Sequence, residues 1–356
     1  DTLYFVTNKD APRLRVVKTD LSAAEPEFTE LVPQSDAVID GAMIVGDRLV
    51  ISYLVDAKSQ LSTFDLDGTA LGTLDLPGPG QVGGLSGSMK SDEGFFTFQS
   101  FNRPTTVFRY DPSSGPTVWA APSLPFDPDM VEVTQRFYQS KDGTRIPMFL
   151  VHMKGQDLSQ GAPTLLYGYG GFNISVLPQY KAAWMAWIKA GGVFANLRGG
   201  GEYGKEWHDG GRLQNKQNVF DDFIAAGEYL ISEGITPANG LAVEGRSNGG
   251  LLIGAVMNQR PDLFTAGHAA VGVMDMLRFD RFTAGRYWVD DYGYPNKEQD
   301  FRTLLGYSPY HNLKDGVDYP ALIVSTADTD DRVVPGHSFK YVARLQALDT
   351  GDAPHL

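Results

Sequence analysis

The sequence predicts two architectures in one chain: part of a β-propeller, then an α/β domain with a mostly parallel sheet and helices on both faces. Three observations carry that prediction. Strand-like stretches recur about every 45 residues over 1–125, strands and helices alternate from Val131 onward, and a Gly-x-Ser-x-Gly pentapeptide sits where a strand turns into a helix. The length of 356 residues is enough for two domains of usual size.

The repeat is read first. Asp20, Asp65 and Asp111 each close a strand-like stretch and open a turn, 45 and 46 residues apart. The strands before them recur as well, at 3–7, 49–54 and 95–100. A period of this size with several strands per unit is the signature of propeller blades. About two and a half blades fit, fewer than the four that a closed propeller requires. Pro122, Pro125 and Pro128 then mark a linker, which places the boundary between a partial propeller at 1–125 and a second domain at 126–356.

In the second domain, 131–138 and 146–152 read as strands joined by a turn at Lys141-Asp142-Gly143. Short apolar strands follow at 164–167, 192–196, 241–244 and 322–325, with helices at 180–190, 219–232, 249–258 and 336–347. The paired acids Asp221 and Asp222 fall in the first turn expected for the second of these helices. Such alternation builds a mostly parallel sheet, whose chemistry sits at the carboxyl ends of the strands.

Composition narrows the function. With 42% apolar and 21% charged residues the chain has the material for a packed core. A net charge of −13 argues against a nucleic-acid-binding face. No apolar run is long enough for a membrane-spanning helix. Cysteine is absent, which removes disulfides, thiolate metal sites and a Cys nucleophile. The compartment, cytoplasmic or periplasmic, stays open. The chain opens on Asp1 and stops at Pro354-His355-Leu356 without a polar tail, so it is expected to be a piece of a longer protein.

The nucleophile candidate is Ser247 in Gly245-Arg246-Ser247-Asn248-Gly249. The strand before it and the helix after it are the setting a nucleophile elbow requires, and small residues flank the tight turn. The bland alternative is an ordinary helix N-cap. An acid candidate lies in the loop after strand 322–325, where Asp328, Asp330 and Asp331 compete. A calcium loop fails there, because Phe339 occupies the twelfth position and no glycine the sixth. A serine nucleophile also needs a base, and none of the six histidines stands in a suitable place after the acid. The catalytic histidine is therefore expected beyond Leu356. Gly199-Gly200-Gly201 lacks the continuation of a phosphate loop, and His208 reads as structural.

A series of motifs in order resembles the prolyl oligopeptidase family of serine peptidases. They are Leu166-Tyr167-Gly168-Tyr169-Gly170-Gly171-Phe172-Asn173-Ile174-Ser175, then Asn196-Leu197-Arg198-Gly199-Gly200-Gly201-Glu202-Tyr203-Gly204, then 245–251. Val271-Gly272-Val273-Met274-Asp275-Met276, residues 288–293 and Asp330-Asp331-Arg332-Val333-Val334-Pro335 complete the series. The resemblance is dense over about 131–347. It implies a propeller capping an α/β-hydrolase domain that cleaves short peptides after proline. Ser247 then matches the nucleophile, Asp330 the triad acid, and the Tyr169 hydroxyl with the Asn248 backbone N–H the oxyanion hole. Trp288 matches the ring that stacks on the substrate proline. Phe172, Val273, Tyr292 and Val333 match the other pocket walls, and Arg332 the arginine that binds a substrate carbonyl. Three departures stand out: no glycine-flanked histidine, no N-terminal segment or first blades, and Thr329 inside the acid loop.

The expected function is a serine endopeptidase acting on proline-containing peptides through an acyl-enzyme on Ser247. No cofactor, metal, nucleic acid or membrane is expected, and the complete protein is expected to be monomeric. Two alternatives stay open: an oligopeptidase or esterase of other specificity in the same fold, and a non-catalytic fragment that only binds partners.

Overall fold

A computed structural model describes residues 2–188, 192–195 and 198–356. The chain divides into two compact units. The first holds Asp1–Val133 with Leu177–Met185 and Glu202–Glu206, and the second holds Thr134–Val176, Ala186–Gly201 and Trp207–Leu356.

The first unit is made of antiparallel meanders. Strands β1 (Thr2–Thr7), β2 (Arg15–Asp20) and β3 (Thr29–Val32) form a three-stranded sheet. Strands β4 (Val38–Val45), β5 (Arg48–Val55), β6 (Lys58–Asp65) and β7 (Ala70–Leu74) form a four-stranded one. So do β8 (Gln81–Ser86), β9 (Gly94–Gln99), β10 (Thr106–Asp111) and β11 (Gly115–Ala120). The first unit thus holds one three-stranded and two four-stranded antiparallel sheets.

The repeating aspartates have a physical basis. Asp20 Oδ1 accepts the Ser22 N–H at 2.9 Å, Asp65 Oδ1 that of Asp67 at 3.1 Å, and Asp111 Oδ1 that of Ser113 at 2.8 Å. Each forms an Asx turn at the end of the corresponding strand of its sheet. Strand β5 shows how the sheets stack. Leu49, Ile51 and Tyr53 enter one apolar cluster with Val16 and Val32, while Val50 enters another with Phe96, Phe98 and Phe108. Strand alternation thus lets the middle sheet serve both neighbours.

The proline-rich linker is docked on the first unit. Asn102 Nδ2 donates to the carbonyls of Pro128 at 2.9 Å and Val131 at 3.2 Å, and Asp127 caps the short 3-10 turn Pro128–Met130. The first unit therefore runs on through this segment to Val133. The short stretch Glu202–Glu206 joins the same unit, with the Tyr203 hydroxyl donating to Asp56 at 2.7 Å.

Strand β12 (Val131–Gln139), which begins in the first unit and runs into the second, forms a sheet with β13 (Arg145–Met153) and β15 (Gly192–Ala195), the last two antiparallel. Strands β14 (Thr164–Tyr167), β16 (Leu241–Arg246), β17 (Ala266–Ala270) and β18 (Ala321–Ser325) form a parallel one in that order. Helices α1 (Ala182–Ile188) and α2 (Lys205–Asp209) each have residues in both units, and α3 (Gln217–Ser232), α4 (Asn248–Gln259), α5 (Val289–Tyr292), α6 (Glu298–Tyr307) and α7 (Gly336–Ala347) lie wholly in the second. Residue 196 of the expected strand, residues 189–190 of the expected helix, and Asn196 and Leu197 of the second motif lie outside the described residues.

One expectation is corrected. Helix α3 begins at Gln217, so Asp221 and Asp222 lie beyond its first turn. Asp222 faces inward with Val219, Phe220 and Phe223, where Arg198 Nε and Nη2 donate to it at 3.0 and 2.6 Å. Among the described residues no helix is long and apolar enough to cross a membrane.

Candidate active site

Four segments that carry candidate residues leave the carboxyl ends of four adjacent parallel strands. Tyr169 follows β14, Ser247 follows β16, Val273 follows β17 and Asp330 follows β18. This is the edge of an α/β sheet where ligands bind.

Ser247 has φ 59° and ψ −116°, a conformation that L residues rarely adopt. Its N–H donates to the Ala270 carbonyl at 2.9 Å, and its carbonyl accepts the first α4 hydrogen bond from Leu251 at 3.1 Å. The turn is tight enough to demand glycine. A Cβ on Gly245 would stand 2.2 Å from the Gly249 carbonyl oxygen, and one on Gly249 would stand 2.5 Å from that of Gly168. Strain of this kind costs about 1–3 kcal/mol. It is outweighed by α4 itself, where Leu251, Leu252, Ile253 and Val256 are fully buried, each contributing about 1.5–3 kcal/mol.

Tyr169 stands beside the nucleophile candidate, near enough for the Ser247 hydroxyl to act on its phenol. Burial raises the phenol pKa above its ordinary value, while Ser247 and the Arg332 charge pull the other way. The phenol is therefore an O–H donor at neutral pH, as an oxyanion needs. The loop behind it turns sharply at Phe172 and Asn173, both with positive φ, and the Asn173 N–H donates to the Gly199 carbonyl at 3.0 Å.

The acid loop separates its three carboxylates. Asp328 and Asp331 are exposed, whereas Asp330 is half-buried and its Oδ1 accepts the N–H groups of Arg332 at 3.0 Å and Val333 at 2.9 Å. Arg332 is exposed.

The aromatic candidates come together. The Phe172 and Tyr292 rings meet edge to face at 5.3 Å, and Trp288 meets Tyr292 at 6.5 Å and 89°. Val273, Val333, Trp288 and Tyr292 are buried in one cluster with Phe172 packed against it.

The histidines go elsewhere. His152 contacts the Met153 carbonyl, His268 the Ser325 hydroxyl, His311 the Ser308 hydroxyl and His355 the Thr350 hydroxyl. His337 Nδ1 accepts the Asp275 N–H, and His208 Nε2 lies 2.9 Å from Asp291 Oδ1. Among the described residues none of them hydrogen-bonds Ser247. No group of three or more His, Asp or Glu among the described residues is placed to hold a metal ion.

Sequence reasoning missed Lys216 and Asp291, which are 0% and 3% exposed and lie 3.2 Å apart directly behind the site. Burial alone would raise the Asp291 carboxyl, but the Lys216 charge, the His208 ring and the Phe172 N–H outweigh it and hold its pKa below the usual value. The only signal was position: Asp291 sits between Trp288 and Tyr292 in sequence.

The family model described as "Prolyl oligopeptidase family" matches residues 179–356, and the one described as "Prolyl oligopeptidase, N-terminal beta-propeller domain" matches residues 1–122. The chain belongs to the prolyl oligopeptidase family. Its relatives include a prolyl endopeptidase of Elizabethkingia miricola, 44% identical over all of this chain and 51% of that protein. A prolyl endopeptidase of Dictyostelium discoideum is 42% identical over 96% of this chain and 47% of that protein. A solved prolyl endopeptidase is 58% identical with a TM-score of 0.87, covering all of this chain and 52% of that one. Prolyl oligopeptidase B from Galerina marginata, bound to a 35mer hydrolysis and macrocyclization substrate, superposes with a TM-score of 0.95 at 34% identity, over 100% of this chain and 51% of that one. The chain thus spans about half the length of the relatives it matches. Family membership supports the propeller and α/β-hydrolase reading of the two parts of the sequence.

Proposed function

We propose that this chain carries the nucleophile, triad acid, oxyanion hole and proline pocket of a serine endopeptidase that cleaves peptides after proline. The observation that carries the proposal is Ser247 on a strained strand-to-helix turn, with the next residue, Asn248, tied through its side chain to the Tyr169 carbonyl. The names of the relatives agree with it.

In this reading the Ser247 hydroxyl attacks the carbonyl carbon of a prolyl residue. The oxyanion that forms accepts hydrogen bonds from the Tyr169 hydroxyl and the Asn248 backbone N–H. Collapse expels the amine and leaves an ester on Ser247, which water hydrolyses. Asp330 is the triad acid, a role supported by the two backbone N–H groups that fix its carboxylate. The base is assigned to a histidine outside these 356 residues, and the half-length match to the relatives supports that assignment. Proline presents an apolar ring and no N–H, so packing against Trp288, Phe172 and Tyr292 suits it, with Val273 and Val333 closing the walls. Arg332 is assigned to a substrate carbonyl. The division into a partial propeller at 1–125 and a peptidase domain at 126–356 belongs to the same proposal.

The test is hydrolysis of reporter peptides ending in Pro, Ala, Arg or Lys by the full-length protein and its Ser247→Ala variant. Turnover after Pro that vanishes in the variant is the expected result. Undiminished turnover in Ser247→Ala, or a preference for Arg or Lys, would overturn it. The non-catalytic alternative predicts a folded protein whose Ser247 ignores a fluorophosphonate.

A further inference from the structure

Behind the candidate oxyanion hole lies an ion pair that the triad chemistry does not use. Lys216 immediately precedes α3, and its ammonium has three donors for three acceptors: the Gly170 carbonyl at 2.9 Å, Asn248 Oδ1 at 3.1 Å and Asp291 Oδ2 at 3.2 Å. The other carboxylate oxygen of Asp291 accepts the Phe172 N–H at 2.9 Å and faces His208 Nε2 at 2.9 Å. Asn248 Oδ1 also accepts from the Tyr292 hydroxyl at 2.8 Å.

We infer that Lys216 and Asp291 are positioning residues that hold the loop bearing Tyr169 and Phe172 in register with Ser247 and Asn248. The inference deepens the proposed function and rests on it. Its argument is one of destination. A buried ion pair is a poor source of stability, because desolvation offsets most of its attraction and well-packed apolar residues commonly do better. Yet apart from His208, every further hydrogen-bond partner of this pair is a backbone atom of that loop or the side chain of Asn248, and the Lys216 ammonium also lies 5.2 Å from the centre of the Tyr292 ring. Gly170 is one residue from the phenol donor, and Phe172 is a proposed pocket wall. Asn248 supplies the proposed second oxyanion donor from its backbone while its side chain is gripped by Lys216 and Tyr292. The pair thus fixes both donors against each other. It leaves the stacking ring Trp288 to the apolar cluster, so transition-state binding should depend on the pair more than ground-state binding does.

The experiment compares the full-length parent with Lys216→Met, Asp291→Asn and the double variant. The double variant matters because it leaves no uncompensated buried charge and so preserves the fold where a single change fails. Thermal unfolding, kcat and KM on a Gly-Pro reporter peptide are measured. So are the affinities of a peptidyl-prolinal, which forms a hemiacetal in the oxyanion hole, and of the corresponding acid product. The expected result is a double variant that unfolds near the parent temperature, with kcat and prolinal affinity down roughly 10- to 100-fold. Its KM and product affinity should stay within about threefold. A folded double variant with kcat within threefold of the parent would overturn the inference alone, as would a loss confined to KM or a loss that tracks stability. A double variant that does not fold would also overturn it, by showing the pair to be a structural support. A parent without turnover after proline would overturn the proposed function, and the inference with it.

Discussion

Asn248 Nδ2 donates to the Tyr169 backbone carbonyl at 2.5 Å. The residue that follows the nucleophile candidate is thereby tied to the residue that carries the phenol, although the two leave different strands. The proposed oxyanion hole needs this, since two donors must converge on one developing charge. Removing one donor should slow the chemical step without loosening the substrate. Tyr169→Phe is expected to lower kcat by about 10²–10³, with KM little changed. Steady-state kinetics on a Gly-Pro reporter peptide checks it, and an unchanged kcat would remove the phenol from the hole.

Gly245 tests the elbow itself. Its missing Cβ is what lets the Gly249 carbonyl approach, since an added carbon would stand 2.2 Å from that oxygen. The obstacle is backbone, which has no rotamer to move. Gly245→Ala should therefore destroy the turn, lowering the unfolding temperature and abolishing fluorophosphonate labelling of Ser247. Gly306 is the control: it lies within α6 with open space around it. Gly306→Ala should be neutral or stabilise by up to about 1 kcal/mol.

Trp288 tests specificity. Its ring is 8% exposed and packs edge to face on Tyr292. Trp288→Ala should weaken proline recognition by more than about 1 kcal/mol through lost ring packing. Because the truncation also opens a cavity, the useful quantity is the ratio of kcat/KM for Pro over Ala reporter peptides, in which lost stability cancels. That ratio is expected to fall at least about fivefold. An unchanged ratio would take Trp288 out of the pocket.

Much of this was legible because it rests on local patterns. The recurring aspartates are legible because each Asx turn is closed within a few residues. Ser247 is legible because a strand, two flanking glycines and a helix are contiguous. What escaped depends on contacts between distant segments. The burial of Lys216 comes from partners at 170, 248 and 291, and nothing around Asn215-Lys216-Gln217 separates it from a solvated lysine. Strand β17, Ala-Gly-His-Ala-Ala, carries no β-branched residue and is made a strand by its neighbours β16 and β18. Asp222 was misread because the helix starts two residues earlier than its apolar pattern, which turns that acid toward Arg198. Spacing could not choose among Asp328, Asp330 and Asp331. In the fold, partial burial and two backbone N–H groups on its carboxylate set Asp330 apart from the other two.

His337 gives the acid limb of stability. The ring is 1% exposed, meets Phe282 edge to face at 4.9 Å, and its Nδ1 accepts the Asp275 N–H. Burial lowers its pKa from 6.5 to about 4, with Lys340 adding to the effect and Asp275 opposing it. The unfolded chain therefore binds this proton more readily than the folded one. Above pH 6.5 both states are neutral at this ring and it contributes no pH dependence. As pH falls through 6.5 toward 4, stability is lost, reaching roughly 3 kcal/mol below the folded pKa. Asp275, whose pKa lies below the usual carboxylate value, titrates under this window. His337→Gln keeps an acceptor for the Asp275 N–H without the titration. Urea unfolding at pH 7.5 and pH 4.5 should show a smaller acid loss in the variant, by about 2–3 kcal/mol. Equal losses in both proteins would mean that the folded state accommodates the imidazolium, and that His337 is not the group that makes this fold acid-sensitive.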